Sequence, residues 1–140
     1  MKANKKEKAT TIQDVVDDYP VRYLDSNVYA GADLCSIELP AGLKGIGSGA
    51  FRNCKNLIDI TFPEALLYIG PGAFEGCITL SKVDLSGGCT TIGEKAFAGC
   101  KSLKEVILPA GLKTLAEDAF DEEIKPYITY ADEAPEEHGF

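Results

Sequence analysis

The sequence predicts a repeat solenoid, in which short coils stack on one another and each coil adds one short strand to a parallel sheet. Three observations support this fold class. A 23-residue motif recurs four times without insertion over residues 34–124, part of each motif alternates apolar with polar residues, and each motif carries an Ala-Phe pair at the same position. Because 23 residues cannot bury their own apolar side, stacking of the copies must supply the core.

The chain before the repeats is divided into a basic flexible head, residues 1–11, and an N-terminal cap, residues 12–33. Three apolar residues of the cap have helical spacing, namely Ile12, Val15 and Val16. This spacing predicts a short helix from about Thr11 to Asp18 that covers the open end of the first coil. Shifting the repeat back by 23 residues places Tyr23, Val28 and Gly31 at the aliphatic, phenylalanine and cysteine positions.

The strand of each repeat is predicted where the alternation is strict. Its buried residues are Ile37, Ile60, Val83 and Val106. The Ala-Phe pairs lie at 50–51, 73–74, 96–97 and 119–120. A small residue before a large one, without alternation, favours a tight turn or a short 3₁₀ segment on the opposite side, with the phenylalanine inward. The sequence therefore predicts a ladder of stacked phenylalanines along the solenoid.

Three of the five cysteines, Cys54, Cys77 and Cys100, occupy one column of the repeat. Equivalent positions in stacked strands lie about 4.8 Å apart with parallel side chains, whereas a disulfide needs Cβ atoms about 3.8 Å apart that converge. These cysteines, and Cys89 in a leucine column, are therefore predicted to be reduced and buried. Cys35 points out of the strand, so it alone is expected to be accessible.

Residues 125–140 are predicted to close the solenoid with a strand and an acidic tail. Aromatic and β-branched residues at 127–130 favour a strand beside the last repeat. The tail that follows contains Pro135 and paired acidic residues, which protect an exposed sheet edge. A specific binding tail is the alternative interpretation.

The repeat unit reads L-x-x-I-x-L-P-x-x-L-x-x-I-G-x-x-A-F-x-x-C and closely resembles the BspA-like class of leucine-rich repeats, found on bacterial and some protozoan surfaces. The resemblance covers residues 34–124. It implies a right-handed solenoid with strands on its concave face, which binds proteins and, in surface-attached members, host matrix or other cells. The chain is expected to differ from the usual member in having four full repeats and in lacking a leader or anchor.

Composition and charge exclude several classes of function. The 140 residues include 22 acidic and 14 basic ones, for a net charge of −8, and residues 117–140 alone carry −8. Such a chain lacks the broad basic surface that nucleic-acid binding needs. No run of 18 apolar residues occurs, so no membrane span is expected. Reduced cysteines and the missing signal peptide favour a cytoplasmic location, with a cell-surface or secreted location as the alternative.

No constellation of residues points to catalysis, a metal or a cofactor. The single histidine, His138, lies near the end of the sequence, where it cannot be held against a substrate. No C-x-x-C pair, phosphate-binding loop or Ser-His-Asp set occurs. The chain is therefore predicted not to be an enzyme and to use no cofactor.

The predicted recognition surface is the outward side of the strands. Its residues flank the buried column in each repeat: Cys35, Ser36 and Glu38; Ile58, Asp59 and Thr61; Ser81, Lys82 and Asp84; Lys104, Glu105 and Ile107. Ile58 and Ile107 are the two aliphatic residues in this set, which makes them candidate anchors for a partner. Single exposed aliphatic residues are also common on protein surfaces.

Three functions are compatible with these features. The leading interpretation is a noncatalytic module that binds a protein or peptide on the strand face, as a monomer or weak oligomer. The alternatives are a fragment of a bacterial surface adhesin that binds host or matrix proteins, and a structural subunit that docks through its ends. The partner itself is not specified by the sequence.

Overall fold

The computed structural model describes residues 9–11, 15–16 and 19–131, with side chains from residue 20 onward. In this part the chain winds into a parallel-strand solenoid of about five turns, and helical structure is nearly absent. The predicted fold class is confirmed. Pro135, His138 and the rest of the acidic tail beyond residue 131 lie outside the described residues.

The predicted strands, together with one strand that was not predicted, line one side of the solenoid, in two parallel sheets of three strands. One of them contains β1 (Ala9–Thr11), β5 (Ser36–Glu38) and β7 (Asp59–Thr61), and the other contains β9 (Lys82–Asp84), β11 (Glu105–Leu108) and β13 (Ile128–Tyr130). In β5, β7 and β9 the central residue is buried and its two neighbours face outward. This arrangement follows from the two-residue period of a strand.

Each turn also has a second strand, of two residues, which the sequence did not predict. These strands form one five-stranded parallel sheet, hereafter the second sheet: β4 (Tyr23–Leu24), β6 (Gly45–Ile46), β8 (Tyr68–Ile69), β10 (Thr91–Ile92) and β12 (Thr114–Leu115). Two residues are too few for alternation to show. A glycine follows three of these strands, β6, β8 and β10. The turns pack too closely there for a side chain, because a Cβ on Gly70 would lie 2.9 Å from the backbone nitrogen of Ser48 in the preceding turn.

The phenylalanine ladder is confirmed on the turn side of the solenoid. The ring centroids of Phe51, Phe74, Phe97 and Phe120 follow one another at 5.0, 5.1 and 5.0 Å. The ring planes of successive pairs lie within 10° of parallel, and the first three rings are fully buried. One large ring per turn, packed on the next, therefore fills the core along the whole axis.

The cysteine column is also buried, and all five cysteines are free thiols. The Sγ of Cys77 donates a hydrogen bond to the Phe51 carbonyl at 3.1 Å, and the Sγ of Cys100 donates to the Phe74 carbonyl at 3.2 Å. Burial raises the pKa of Cys100 to about 12. A hydrogen bond with Cys54, together with burial, also raises the pKa of Cys77. Cys35 is half-buried.

Two predictions for the N-terminal cap are wrong. The helix expected over residues 11–18 is absent from the described residues, where β2 (Val15–Val16) pairs antiparallel with β3 (Tyr19–Pro20). Three apolar residues at helical spacing are too short a pattern to outweigh the strand preference of the β-branched valines. Residues 9–11, assigned to the flexible head, form β1 and pair with β5.

The second error is the alignment of the cap, which is displaced by one residue. Leu24, not Tyr23, pairs with Ile46 and is buried. Tyr29, not Val28, joins the ring ladder, with its centroid 5.5 Å from that of Phe51. The first turn is therefore 22 residues long at these positions, which a search for a constant period of 23 cannot detect.

The C-terminal end is closed by a 3₁₀ helix, Glu122–Tyr127, and by β13. The helix buries Ile124, which is 2% exposed. Strand β13 pairs parallel with β11, so that Ile128 lies beside Val106. Both ends of the repeat array are thus covered by atypical turns, as stacked repeats require.

Candidate functional site

The twelve predicted site residues all reach the surface on the sheets that contain β5, β7, β9 and β11, hereafter the strand face. None of them belongs to the buried core. Equivalent residues lie in register on neighbouring strands, as Ser36 does beside Asp59 and Lys82 beside Glu105. The repeat therefore produces straight rows of side chains across the strands, about 4.8 Å apart.

The two aliphatic candidates differ in accessibility. The side chain of Ile58 is 51% exposed, just before β7, whereas Ile107 is half-buried in β11. Ile107 lies beside Thr129 of the closing strand, whose hydroxyl donates to the Val106 carbonyl at 3.4 Å. The closing strand therefore covers one side of Ile107, and Ile58 is the better exposed anchor.

Two grooves cross the strand face. The larger, of about 660 Å³, lies over β5 and β7, and the smaller, of about 290 Å³, lies over β7 and β9. The walls of both grooves include Asp59, Thr61 and Glu64. The smaller groove lies where the two sheets of the strand face meet, and there the Ser81 nitrogen donates to the Ile58 carbonyl at 3.3 Å.

The charged residues that line the grooves are mostly acidic. They include Glu38, Asp59, Glu64 and Asp84 but one lysine, Lys82. The Lys82 ammonium lies 3.9 Å from the Glu105 carboxylate, and both side chains are about half exposed. Asp84 accepts a hydrogen bond from the Ser86 nitrogen at 3.0 Å, and hydrogen bonding from Ser86 lowers the pKa of Asp84. The charged side chains of the grooves are therefore mainly carboxylates.

Several lining residues were missed at the sequence level. They lie just after the strands that end at residues 38, 61 and 84, and they are Leu39, Ala41, Pro63, Glu64, Ser86 and Gly87. The turns at 63–64 and 86–87 fold back along the groove edges. Alternation within a strand carries no information about a turn, so the repeat pattern gave no signal for Glu64.

The described residues contain no cluster of three or more histidine, cysteine, aspartate or glutamate side chains placed to hold a metal ion. In the same part of the chain no helix has the length and apolar character needed to span a membrane.

Comparison with known proteins identifies the repeat. The family described as "BspA type Leucine rich repeat region" matches residues 21–133 in six copies. A search of curated proteins gave no significant match.

Solved structures of bacterial leucine-rich repeat proteins have the same fold. A Treponema pallidum (T. pallidum) leucine-rich repeat protein is 30% identical over 81% of this chain and 54% of its own, with a TM-score of 0.78. A leucine-rich cell surface protein of Faecalibacterium prausnitzii is 26% identical over 94% of this chain and 34% of its own, with a TM-score of 0.73. A Bacteroides ovatus leucine-rich repeat protein is 28% identical over 92% and 34%, with a TM-score of 0.77. The chain thus spans about a third to a half of these proteins.

Proposed function

We propose that this chain, which belongs to the BspA-type leucine-rich repeat family, is a noncatalytic module that binds a segment of a partner protein on its strand face. The observation that carries the proposal is the pair of grooves over β5, β7 and β9, which share Asp59, Thr61 and Glu64, on the strand that follows the exposed Ile58. Grooves are where an extended segment gains the most contact for its length.

The charge of the grooves favours a partner segment with basic as well as apolar side chains. Four carboxylates line the grooves. Ile60, the buried central residue of β7, also lines both of them. An apolar side chain of the partner that packs on Ile58 would be flanked by Asp59 and Thr61 in the next positions. Apolar anchors at the centre and charged groups at the edge are the usual composition of a protein interface.

The proposal is tested by capture of partners from an extract of native cells or their surroundings, with mass-spectrometric identification. Wild type is compared with Ile58→Lys, which replaces the exposed anchor by a charge of the sign that should repel the partner. The matched control is Ile78→Lys, because Ile78 is 44% exposed and lies off the strand face, after the cysteine column.

We expect a partner that binds wild type and Ile78→Lys but is lost, or at least tenfold weaker, with Ile58→Lys. Circular dichroism of all three proteins should be the same, since both isoleucines are exposed. A partner retained equally by both variants would contradict the use of the strand face.

A second proposal is that the module acts at the cell surface, as part of an adhesin. It is supported by the family and by the description of the F. prausnitzii protein as a cell surface protein. The comparisons give no support to the cytoplasmic location predicted from the sequence. Antibody labelling of intact native cells should detect the protein before permeabilisation. Signal only after permeabilisation would contradict this location.

A further inference from the structure

The outward side of the second sheet carries an aromatic and basic patch at its N-terminal end. The residue before each of the five strands and the first residue of the strand give ten positions: Arg22, Tyr23, Lys44, Gly45, Leu67, Tyr68, Thr90, Thr91, Lys113 and Thr114. Gly45 is buried, and the other nine are at least partly exposed. None of the ten is acidic, although the chain carries a net charge of −8. This side therefore differs in charge from the acidic grooves of the strand face.

Two tyrosines flank a glycine in this patch. Tyr23, Gly45 and Tyr68 are register partners on β4, β6 and β8. A Cβ on Gly45 would lie 2.7 Å from Cδ1 of Tyr23 and 3.7 Å from Cδ2 of Tyr68, which places those ring atoms within about 6.4 Å of each other. Tyr23 is 66% exposed, Tyr68 42% and the adjoining Leu67 48%. Tyr23 lies on β4, and Leu67 and Tyr68 lie just before and at the start of β8, so three exposed apolar side chains occupy one end of this sheet.

Two cations beside this surface have no ion pair in the described part of the chain. Lys44 precedes Gly45, and the Arg22 guanidinium lies 3.7 Å from where a Cβ of Gly42 would be. Lys82, Lys101 and Lys125, by contrast, each lie within 4.0 Å of a carboxylate. Unpaired cations next to exposed aromatic rings suit a ligand that brings both carboxylates and an apolar group.

We propose that Arg22, Tyr23, Lys44, Leu67 and Tyr68 form a second binding site, for an acidic peptide segment of a partner protein with an aromatic or aliphatic anchor residue. Tyrosine and arginine are among the residues enriched at protein-binding hot spots. Two cations are too few for nucleic acid.

The test uses fluorescence anisotropy with a labelled peptide, Gly-Glu-Glu-Phe-Glu-Glu-Ile-Glu-Glu-Gly. Lys44→Glu is the informative variant, and Lys113→Glu is its matched control, because Lys113 is at the equivalent position three turns further along the same sheet. Tyr68→Ala tests the aromatic part. Ile58→Lys changes the strand face alone, so its effect on peptide binding distinguishes the two sites. If one of the two binding proposals fails, the other is still tested by its own experiment.

We expect saturable binding that weakens about tenfold or more in Lys44→Glu and in Tyr68→Ala and stays within twofold in Lys113→Glu and Ile58→Lys. Replacing Phe and Ile of the peptide by Ser, or Glu by Lys, should abolish binding. Absence of binding, or equal loss in Lys113→Glu, would overturn the proposal. So would binding of polygalacturonate in preference to the peptide, or a dimer seen by sedimentation that Lys44→Glu dissociates.

Discussion

Individual residues of the repeat could be assigned to core or surface because the period is constant. The alternation around Ile37, Ile60 and Val83 separated the buried column from its exposed neighbours correctly. The same pattern could not rank Ile58 above Ile107, because the half-burial of Ile107 depends on the closing strand beside it. It also gave no sign of Tyr23 and Tyr68, which come near each other only because the second sheet places them on either side of Gly45.

Thiol chemistry tests the cysteine assignment at this scale. In the native protein near pH 8 we expect one of the five thiols, that of Cys35, to react readily with Ellman's reagent. The thiols of Cys77, Cys89 and Cys100 are buried, and their pKa is raised, so they should react only after unfolding. A hydrogen bond with Cys77 lowers the pKa of Cys54, but Cys54 is fully buried, so it too should react only after unfolding. Cys35→Ser should leave no rapidly reacting thiol. Rapid reaction of two or more thiols in the native protein would contradict the buried column.

Truncation of the ladder tests its contribution to stability. Phe74 stacks between Phe51 and Phe97, so Phe74→Ala should lower the free energy of unfolding by about 3–5 kcal/mol. Phe120→Ala is the comparison, because the ring of Phe120 stacks on one phenylalanine only, and the loss should be smaller. Urea unfolding of both variants measures the difference. An equal loss at the two positions would show that stacking along the axis adds little.

At the scale of the element, sequence reasoning worked where the units are alike and failed where they are not. The four 23-residue repeats gave the strands and the Ala-Phe turns directly. The first turn has one residue fewer between Leu24 and Ile46, and the hairpin of β2 and β3 has no equivalent in the other turns. Capping turns pack on one neighbour instead of two, so they are free to depart from the repeat that sequence comparison relies on.

The turn conformation gives a prediction at this scale. Gly49 and Gly72 adopt φ values of +64° and +63°, and Lys95 at the equivalent place in the next repeat has φ +57°. Because an L side chain is strained there by roughly 1 kcal/mol, Lys95→Gly should keep or raise the melting temperature.

Glu94→Gly is the control for this change. Glu94 is exposed like Lys95 but is not among the residues with positive φ, so its replacement by glycine should lower the melting temperature. If both glycine substitutions lower it equally, strain at Lys95 does not contribute to stability.

At the scale of the whole molecule, each turn depends on its neighbours, and the ends need covers. A chain that stops after Ala116 loses Phe120, Ile124 and β13, which cover the last repeat. It should bind the dye ANS and aggregate, because the core around Phe97 becomes exposed.

A chain that stops after Ala131 lacks only the acidic tail. It should unfold within about 2 °C of the full-length chain in a thermal scan. A large destabilisation would assign a structural role to the tail, and a well-folded chain that stops after Ala116 would show that the C-terminal cover is dispensable.

The central claim, that the strand face is the surface that binds a partner, is tested most directly by site-specific photo-crosslinking. A photoreactive amino acid is placed at Thr61, which borders both grooves, and separately at Lys55, an exposed residue on the turn side. The captured partner should form an adduct from position 61 and none from position 55. An adduct from position 55 alone would contradict the account and move the recognition surface to the turns.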